Sequence, residues 1–343
     1  MTLILDLSFS QASSLDPVID HVSLAPATPQ ATADVMDDLL ESFLALRVLA
    51  MLPAALTRVV YRKRLAKLVN IRRRQEDLYL PLVDLWRQAI AGGGAPAYVD
   101  TLIELMVPDE QDGKRRLLTD GEVVALVSEF LGAGTEPVSA ELHWIMARLV
   151  KLPGVQAAVL GEIEAVVGAD AEQVDEEALG RLHYLNAVIM ETLRMHPTVP
   201  VMQRQVTEDD DVALDGQRIP AGTAVKFPVE RLARNKAAWA DPDEFRPERF
   251  LAGGEGEAVN LAVAVPGGQM IRMMPFGVGR RMCPGWSIAV LHLGYFVANL
   301  VREFQWAEAE GEIDLQPRLR GLVTVMKRPL RVRLMPLRHN TCY

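Results

Sequence analysis

The sequence predicts a mainly α-helical chain with a small β portion, and three observations carry that reading. Apolar residues recur at helical spacing in several long runs, such as Val35, Leu39, Leu40, Phe43 and Leu46. Thr119-Asp120-Gly121-Glu122 has the form of a capping box, in which a threonine hydroxyl and a glutamate three residues on satisfy each other's backbone N–H. Only two stretches alternate and are rich in turn residues, Val199 to Val229 and Gly321 to Leu334.

Taken in order, residues Met1 to about Thr32 hold Pro17, Pro26 and Pro29 with weak periodicity and read as irregular. A helix is expected from Asp34 until Pro53 breaks it. The next runs through Val59, Val60, Leu65, Leu68 and Val69 and is dense in cations, including Arg58, Arg62, Lys63, Arg64, Lys67, Arg72, Arg73 and Arg74. Such a face is either simply solvated or made for an anionic membrane surface or an acidic redox partner. Gly92-Gly93-Gly94 reads as a flexible connection, and Tyr98 to Met106 as a short helix. The capping box opens a long helix through Leu149, followed by helices from Pro153 to Val167 and from Leu182 to about Met195, where His196-Pro197 stops the last.

Composition narrows the function. With 343 residues, half of them hydrophobic, the chain can bury a substantial core, and a net charge of −9 argues against a nucleic-acid partner. Two cysteines, Cys283 and Cys342, make no disulfide framework and fit a reducing compartment. Met1–Ser10 lacks the basic leader of a signal peptide, and the longest apolar stretch, Ile288–Leu300, is too short to span a bilayer.

The chemistry concentrates in Pro275-Phe276-Gly277-Val278-Gly279-Arg280-Arg281-Met282-Cys283-Pro284-Gly285. A thiolate is a soft donor that holds haem iron and pushes electron density onto it. Cys283 is expected at the N-cap of a helix with Pro284 at N1, so that helix N–H groups and the Arg281 cation both favour negative charge on sulfur. Gly277 and Gly279 permit positive-φ backbone that can aim further N–H groups at it. Other chemistries fit poorly. A dinucleotide fingerprint begun at Gly277 meets Met282 where glycine is required, Cys283 has no partner at zinc-site spacing, and no serine-nucleophile elbow is present.

The pattern Phe276-x-x-Gly279-x-Arg281-x-Cys283-x-Gly285 resembles the haem-binding signature of the cytochromes P-450. Two further segments agree with that resemblance. Glu191-Thr192-Leu193-Arg194 is similar to the family's Glu-x-x-Arg, and Pro247-Glu248-Arg249-Phe250 to its Pro-Glu-Arg-Phe. The resemblance implies a structural ion network of Glu191, Arg194 and Arg249 behind the cysteine loop. It implies haem b as the cofactor, with Cys283 as axial ligand of the iron, Arg281 and Arg204 on the propionates, and Phe276 and Gly277 against the macrocycle. Gly132-Ala133-Gly134-Thr135-Glu136-Pro137 resembles the oxygen-binding segment, with Ala133 and Gly134 matching and Glu136 implied in proton delivery. Pro137 stands where the family has threonine, so the helix there lacks both a hydroxyl and an N–H.

The sequence looks most like the plant microsomal members, in particular the 89A-type subfamily. That implies the cytochrome P-450 fold without its N-terminal third, in which residues 1–33 are an irregular non-family N-terminus and 34–343 the remaining two thirds of one domain. The implied reaction inserts one oxygen atom from O2 into a small hydrophobic substrate, with electrons from NADPH through a cytochrome P-450 reductase. Substrate contacts would come from Glu129–Phe130, Val199–Met202 and Leu322–Thr324. Pro137 leaves open an isomerase or dehydratase on the same fold, and the missing segments leave open an inactive truncated product. The family sits on the cytosolic face of the endoplasmic reticulum membrane, whereas a chain without an anchor would be soluble in the cytoplasm.

Overall fold

A computed structural model of the protein describes residues 28–49, 53–89, 98–109, 113–168, 171, 173–207, 212–261, 271–309 and 312–337. The expected Gly92–Gly94 connection and Cys342 lie outside them, as does most of the expected irregular N-terminus. The chain divides into two compact units, residues 1–136 with 320–322, and residues 137–319 with 323–343.

The first unit opens with helix α1 (Thr28–Leu49), which starts ahead of the expected Asp34 because Pro29 falls in its first turn, where a missing N–H costs nothing. Pro53 then caps α2 (Ala54–Val60), and α3 (Arg62–Ala89) carries the cationic run. Helix α4 (Tyr98–Ile103) is shorter than expected. Met106 belongs instead to strand β1 (Met106–Pro108), which pairs antiparallel with β2 (Arg115–Leu117) in a hairpin the apolar spacing did not reveal. A core of Met36, Tyr79, Val83, Val99, Leu102, Val123, Val124, Val127 and Leu131 holds this unit, and Gln75 donates to the buried Ser128 hydroxyl at 2.6 Å.

Helix α5 (Asp120–Lys151) begins at the capping box as expected. Thr119 N donates to Glu122 Oε2 at 2.8 Å and Glu122 N donates to Thr119 Oγ1 at 3.3 Å. Its helical backbone runs through Pro137 without a break.

In the second unit α6 (Pro153–Val167) follows with proline at its first position, then the short α7 (Glu176–Leu179) and α8 (His183–Met195). Strands β3 (Val201–Gln205) and β6 (Ala224–Pro228) pair antiparallel around the small hairpin β4 (Ala213–Leu214) and β5 (Gln217–Arg218), and α9 (Val229–Ala233) follows. Helix α10 (Trp286–Glu303) leads into β7 (Phe304–Glu308), β8 (Pro317–Arg320), β9 (Val323–Met326) and β10 (Val332–Pro336). Strand β10 pairs with β7, and β8 with β9. The Val199–Val229 stretch holds β3 to β6 and the Gly321–Leu334 stretch holds β9 and most of β10, as their alternation predicts, while β1, β2, β7 and β8 lie outside both. Leu185, Val188 and Ile189 on α8 meet Leu293, Val297 and Val301 on α10 and Val159 and Ile163 on α6 in one core. Each such fully buried side chain contributes about 1.5–3 kcal/mol.

Candidate functional site

Helix α8 points its charged pair inward. Glu191 and Arg194 are both fully buried, at i,i+3 on one face, and Arg194 donates to the Glu191 carboxylate through Nε at 2.6 Å and Nη2 at 2.9 Å. Arg249, in the 3-10 turn Pro247–Phe250, donates to Glu191 Oε1 at 3.3 Å and is itself buried. The backbone N–H of Arg246 donates to the same oxygen at 2.8 Å. The guanidinium groups spend their remaining donors on carbonyls, Arg194 on Ala233 at 2.9 Å and Arg249 on Asp241 at 2.7 Å and on Ala240. Arg249 also pairs with Glu255. Buried charges need such partners, and here they have them. Trp239, which the sequence reading passed over, lies with its ring 5.3 Å from the Arg194 guanidinium and 5.5 Å from that of Arg272. A large aromatic among the small and charged residues of Lys236–Asp243 was the available signal.

Beyond this network the chain turns into the cysteine loop. Cys283 N donates to the Phe276 carbonyl at 2.9 Å, which closes the loop on itself, and Gly277 N donates to Met274 O at 3.0 Å. Gly277 and Gly279 take φ of 77° and 75°, a region in which side chains are strained. Gly277 is also packed, since a Cβ there would meet the Met202 sulfur at 3.0 Å. Met202, expected at the substrate, thus braces the loop from β3. Phe276 is half-buried against the main core, and the Cys283 thiol is free and half-exposed.

One expectation is corrected here. The helix after the cysteine starts at Trp286 with Gly285 as its N-cap, not Cys283, and Ala289 N donates to the Gly285 carbonyl. Pro284 and Gly285 form a turn ahead of the helix, so Cys283 precedes the N-cap by two residues.

Arg204 and Arg281 come together across the sequence. Arg204, exposed on β3, donates through Nη2 to the Arg281 carbonyl at 3.1 Å, and Arg281 is exposed on the short 3-10 turn Gly279–Arg281. Among the described residues neither guanidinium is paired with a carboxylate. In the other unit, a Cβ at Gly132 or Gly134 would meet nothing within 4 Å, and Ala133 is exposed. Glu136 faces Arg320 at 4.0 Å, and Arg320 also binds Asp37 at 2.7 Å, a partner the sequence did not announce.

The family model for cytochrome P-450 matches residues 24–334. The chain belongs to the cytochrome P-450 family. It is 39% identical over 306 residues to cytochrome P-450 89A9 of Arabidopsis thaliana, covering 88% of this chain and 58% of that relative. It is 36% identical over 215 residues to a flavonoid 3'-monooxygenase of Petunia hybrida, covering 63% of this chain and 40% of the relative. The chain thus spans between 40% and 58% of the length of these two relatives. The haem domain of cytochrome P-450DA superposes with a TM-score of 0.65 at 21% identity over 91% of this chain and 61% of that structure, a likeness of fold.

The residues of the loop fit the family's haem by their chemistry. The donor set offers one soft sulfur for the iron. Two guanidinium groups stand beside it with no carboxylate of their own among the described residues, as paired propionates require.

Proposed function

We propose that this chain carries the haem-thiolate site of a plant monooxygenase that inserts an oxygen atom into a small hydrophobic molecule. The observation that carries the reading is Cys283, a free thiol on a glycine-shaped loop tied back to the Phe276 carbonyl, with Arg281 and Arg204 at its shoulder. Haem b held by the Cys283 thiolate would supply the electron-rich iron that favours scission of dioxygen. The chain's own residues would do the rest. Arg281 and Arg204 hold the propionate carboxylates by charge-assisted hydrogen bonds, and Phe276 and Gly277 lie against the macrocycle. The Glu191, Arg194 and Arg249 network fixes the segments that flank the loop, so that the thiol does not wander. By the family resemblance Ala133 and Gly134 leave room on the oxygen side, Glu136 moves protons, and Glu129–Phe130, Val199–Met202 and Leu322–Thr324 supply the substrate contacts.

Electrons are proposed to come from NADPH through a cytochrome P-450 reductase. Attachment to a membrane surface is supported by α2 and the start of α3. Leu56, Val59, Val60 and Val69 are exposed there among the exposed cations Arg58, Arg62, Lys63, Arg64 and Arg73, a mixture suited to anionic headgroups. Among the described residues no helix is long and apolar enough to cross a membrane.

The test is spectroscopic. The 343-residue chain loaded with haem, reduced and exposed to carbon monoxide is expected to show the displaced Soret band of thiolate ligation, and Cys283→Ser to lose it. The same unshifted band in both proteins overturns the reading. Pro137 favours one alternative, an isomerase or dehydratase acting on an already oxygenated substrate; turnover without NADPH and reductase identifies it.

A further inference from the structure

Five residues after Glu136, helix α5 buries a second acid for which the haem site has no use. Glu141 is 1% exposed. Its Oε2 accepts a hydrogen bond from the Thr198 hydroxyl at 3.1 Å, while among the described residues its Oε1 has no partner. Thr198 continues the cluster: its carbonyl accepts from the Thr324 N–H at 2.8 Å, and the Thr324 carbonyl accepts from Trp144 Nε1 at 3.3 Å. The Thr324 hydroxyl is also buried and without a partner. Two unsatisfied oxygens within one three-residue cluster are unusual, because buried polar atoms are nearly always paired with protein or with ordered water.

Among the described residues no cation pairs with Glu141. Arg148, two turns further along α5, gives its Nε and Nη2 to His196 at 3.1 and 2.8 Å, and His196 stacks on Trp144 at 4.2 Å. Burial, and then the cations Arg148, Arg234 and Arg194, push His196 down to about 2, so it is a neutral acceptor for Arg148. Arg194 is committed to Glu191, and Arg234 to Asp243 at 2.9 Å. An isolated carboxylate in such surroundings neutralises rather than staying charged.

We propose that Glu141, Thr198 and Thr324 form an internal proton-carrying site, in which Glu141 keeps its carboxyl proton at neutral pH and donates it through Oε1 to a water molecule that the Thr324 hydroxyl also holds. The acid form makes Oε1 a donor, and the water gives both Oε1 and the threonine hydroxyl a partner. Burial pushes the Glu141 carboxyl up to about 8, against a smaller downward pull from the Thr198 hydroxyl. The site is a store for one exchangeable proton inside the helix that also carries Glu136.

Infrared spectroscopy of the full chain reads this proton whatever the state of the haem, so its result is independent of the monooxygenase reading. The wild-type minus Glu141→Gln difference spectrum at pH 6 is expected to contain a protonated-carboxyl stretch that moves on exchange into deuterated water and disappears as pH rises past 8. Absence of that band at pH 6, or its persistence in Glu141→Gln, overturns the proposal. Thr324→Val, which keeps the backbone bonds to Thr198 and Trp144, is expected to move the band to higher frequency as the carboxyl loses its water. An unmoved band in folded Thr324→Val overturns the shared water.

Discussion

Two buried glutamates, Glu191 and Glu141, have the same burial and opposite surroundings. Glu191 receives four hydrogen bonds, three from the guanidinium groups of Arg194 and Arg249 and one from the Arg246 backbone. Glu141 receives one, from a neutral hydroxyl. Desolvation is equal, so the number and charge of the donors decide what each acid can be. Glu191 is a fixed ionic hub that ties α8 to the segment before the cysteine loop. Glu141 is a group whose proton can leave. A third acid, Glu122, completes the series: it is exposed, yet two bonds from Arg116 and two from Thr119 hold its carboxyl down to about 2.

The largest effect that would break this comparison is at the hub. Glu191→Ala leaves Arg194 and Arg249 buried without their anion and is expected to destabilise the second unit by about 3–5 kcal/mol. Urea denaturation should show it, and the carbon monoxide band should vanish with it. A variant as stable as wild type would mean that carbonyls alone satisfy the arginines.

Next comes Glu141→Gln, whose effect depends on pH. The folded-state pKa of Glu141 is raised from 4.5 to about 8, so the folded protein binds this proton more tightly than the unfolded chain. The stability linked to it is complete below about 4.5 and is lost as pH rises through about 8. The wild type should therefore weaken across that window, Glu141→Gln should not, and at pH 9 the variant is expected to be the more stable of the two. Parallel denaturation curves for the two proteins at pH 5 and pH 9 would refute the assignment.

Gly277→Ala sharpens the role of the loop that the hub supports. The new methyl group meets the Met202 sulfur at 3.0 Å in positive-φ backbone, and a cost of about 1–3 kcal/mol is expected. Haem titration should show weaker binding by Gly277→Ala, and Gly279→Ala, whose Cβ meets nothing within 4 Å, should lose less. The smallest effect belongs to Thr119→Ala. It removes a cap hydroxyl from the exposed acid and should lower stability by about 1 kcal/mol at neutral pH, read as a small fall in Tm.

Much of the site was legible without coordinates. The cysteine signature, the Glu-x-x-Arg pair and the Pro-Glu-Arg-Phe segment are each read within a few residues, and in the structure Glu191 pairs with both Arg194 and Arg249. Other features were not legible. Nothing near Gly277 in the sequence announces Met202, and nothing near Glu136 announces Arg320, because each contact is closed by strands far away along the chain. The start of the helix at Trp286 also escaped the reading, since Cys283 and Gly285 both precede the apolar run and only the backbone bond from Ala289 to Gly285 chooses between them.

Short-range physics let the sequence alone determine the helices opened by Thr119–Glu122 and Pro153 and the turn glycines around Cys283. Those depend on neighbours within one or two turns, which the sequence carries in order. The tertiary structure alone decided that Arg204 would meet Arg281 and that Glu191 would gather its donors. It also left Glu141 with a single hydroxyl. Solvation and pairing of a buried charge depend on groups brought from distant segments, and their order along the chain does not record them.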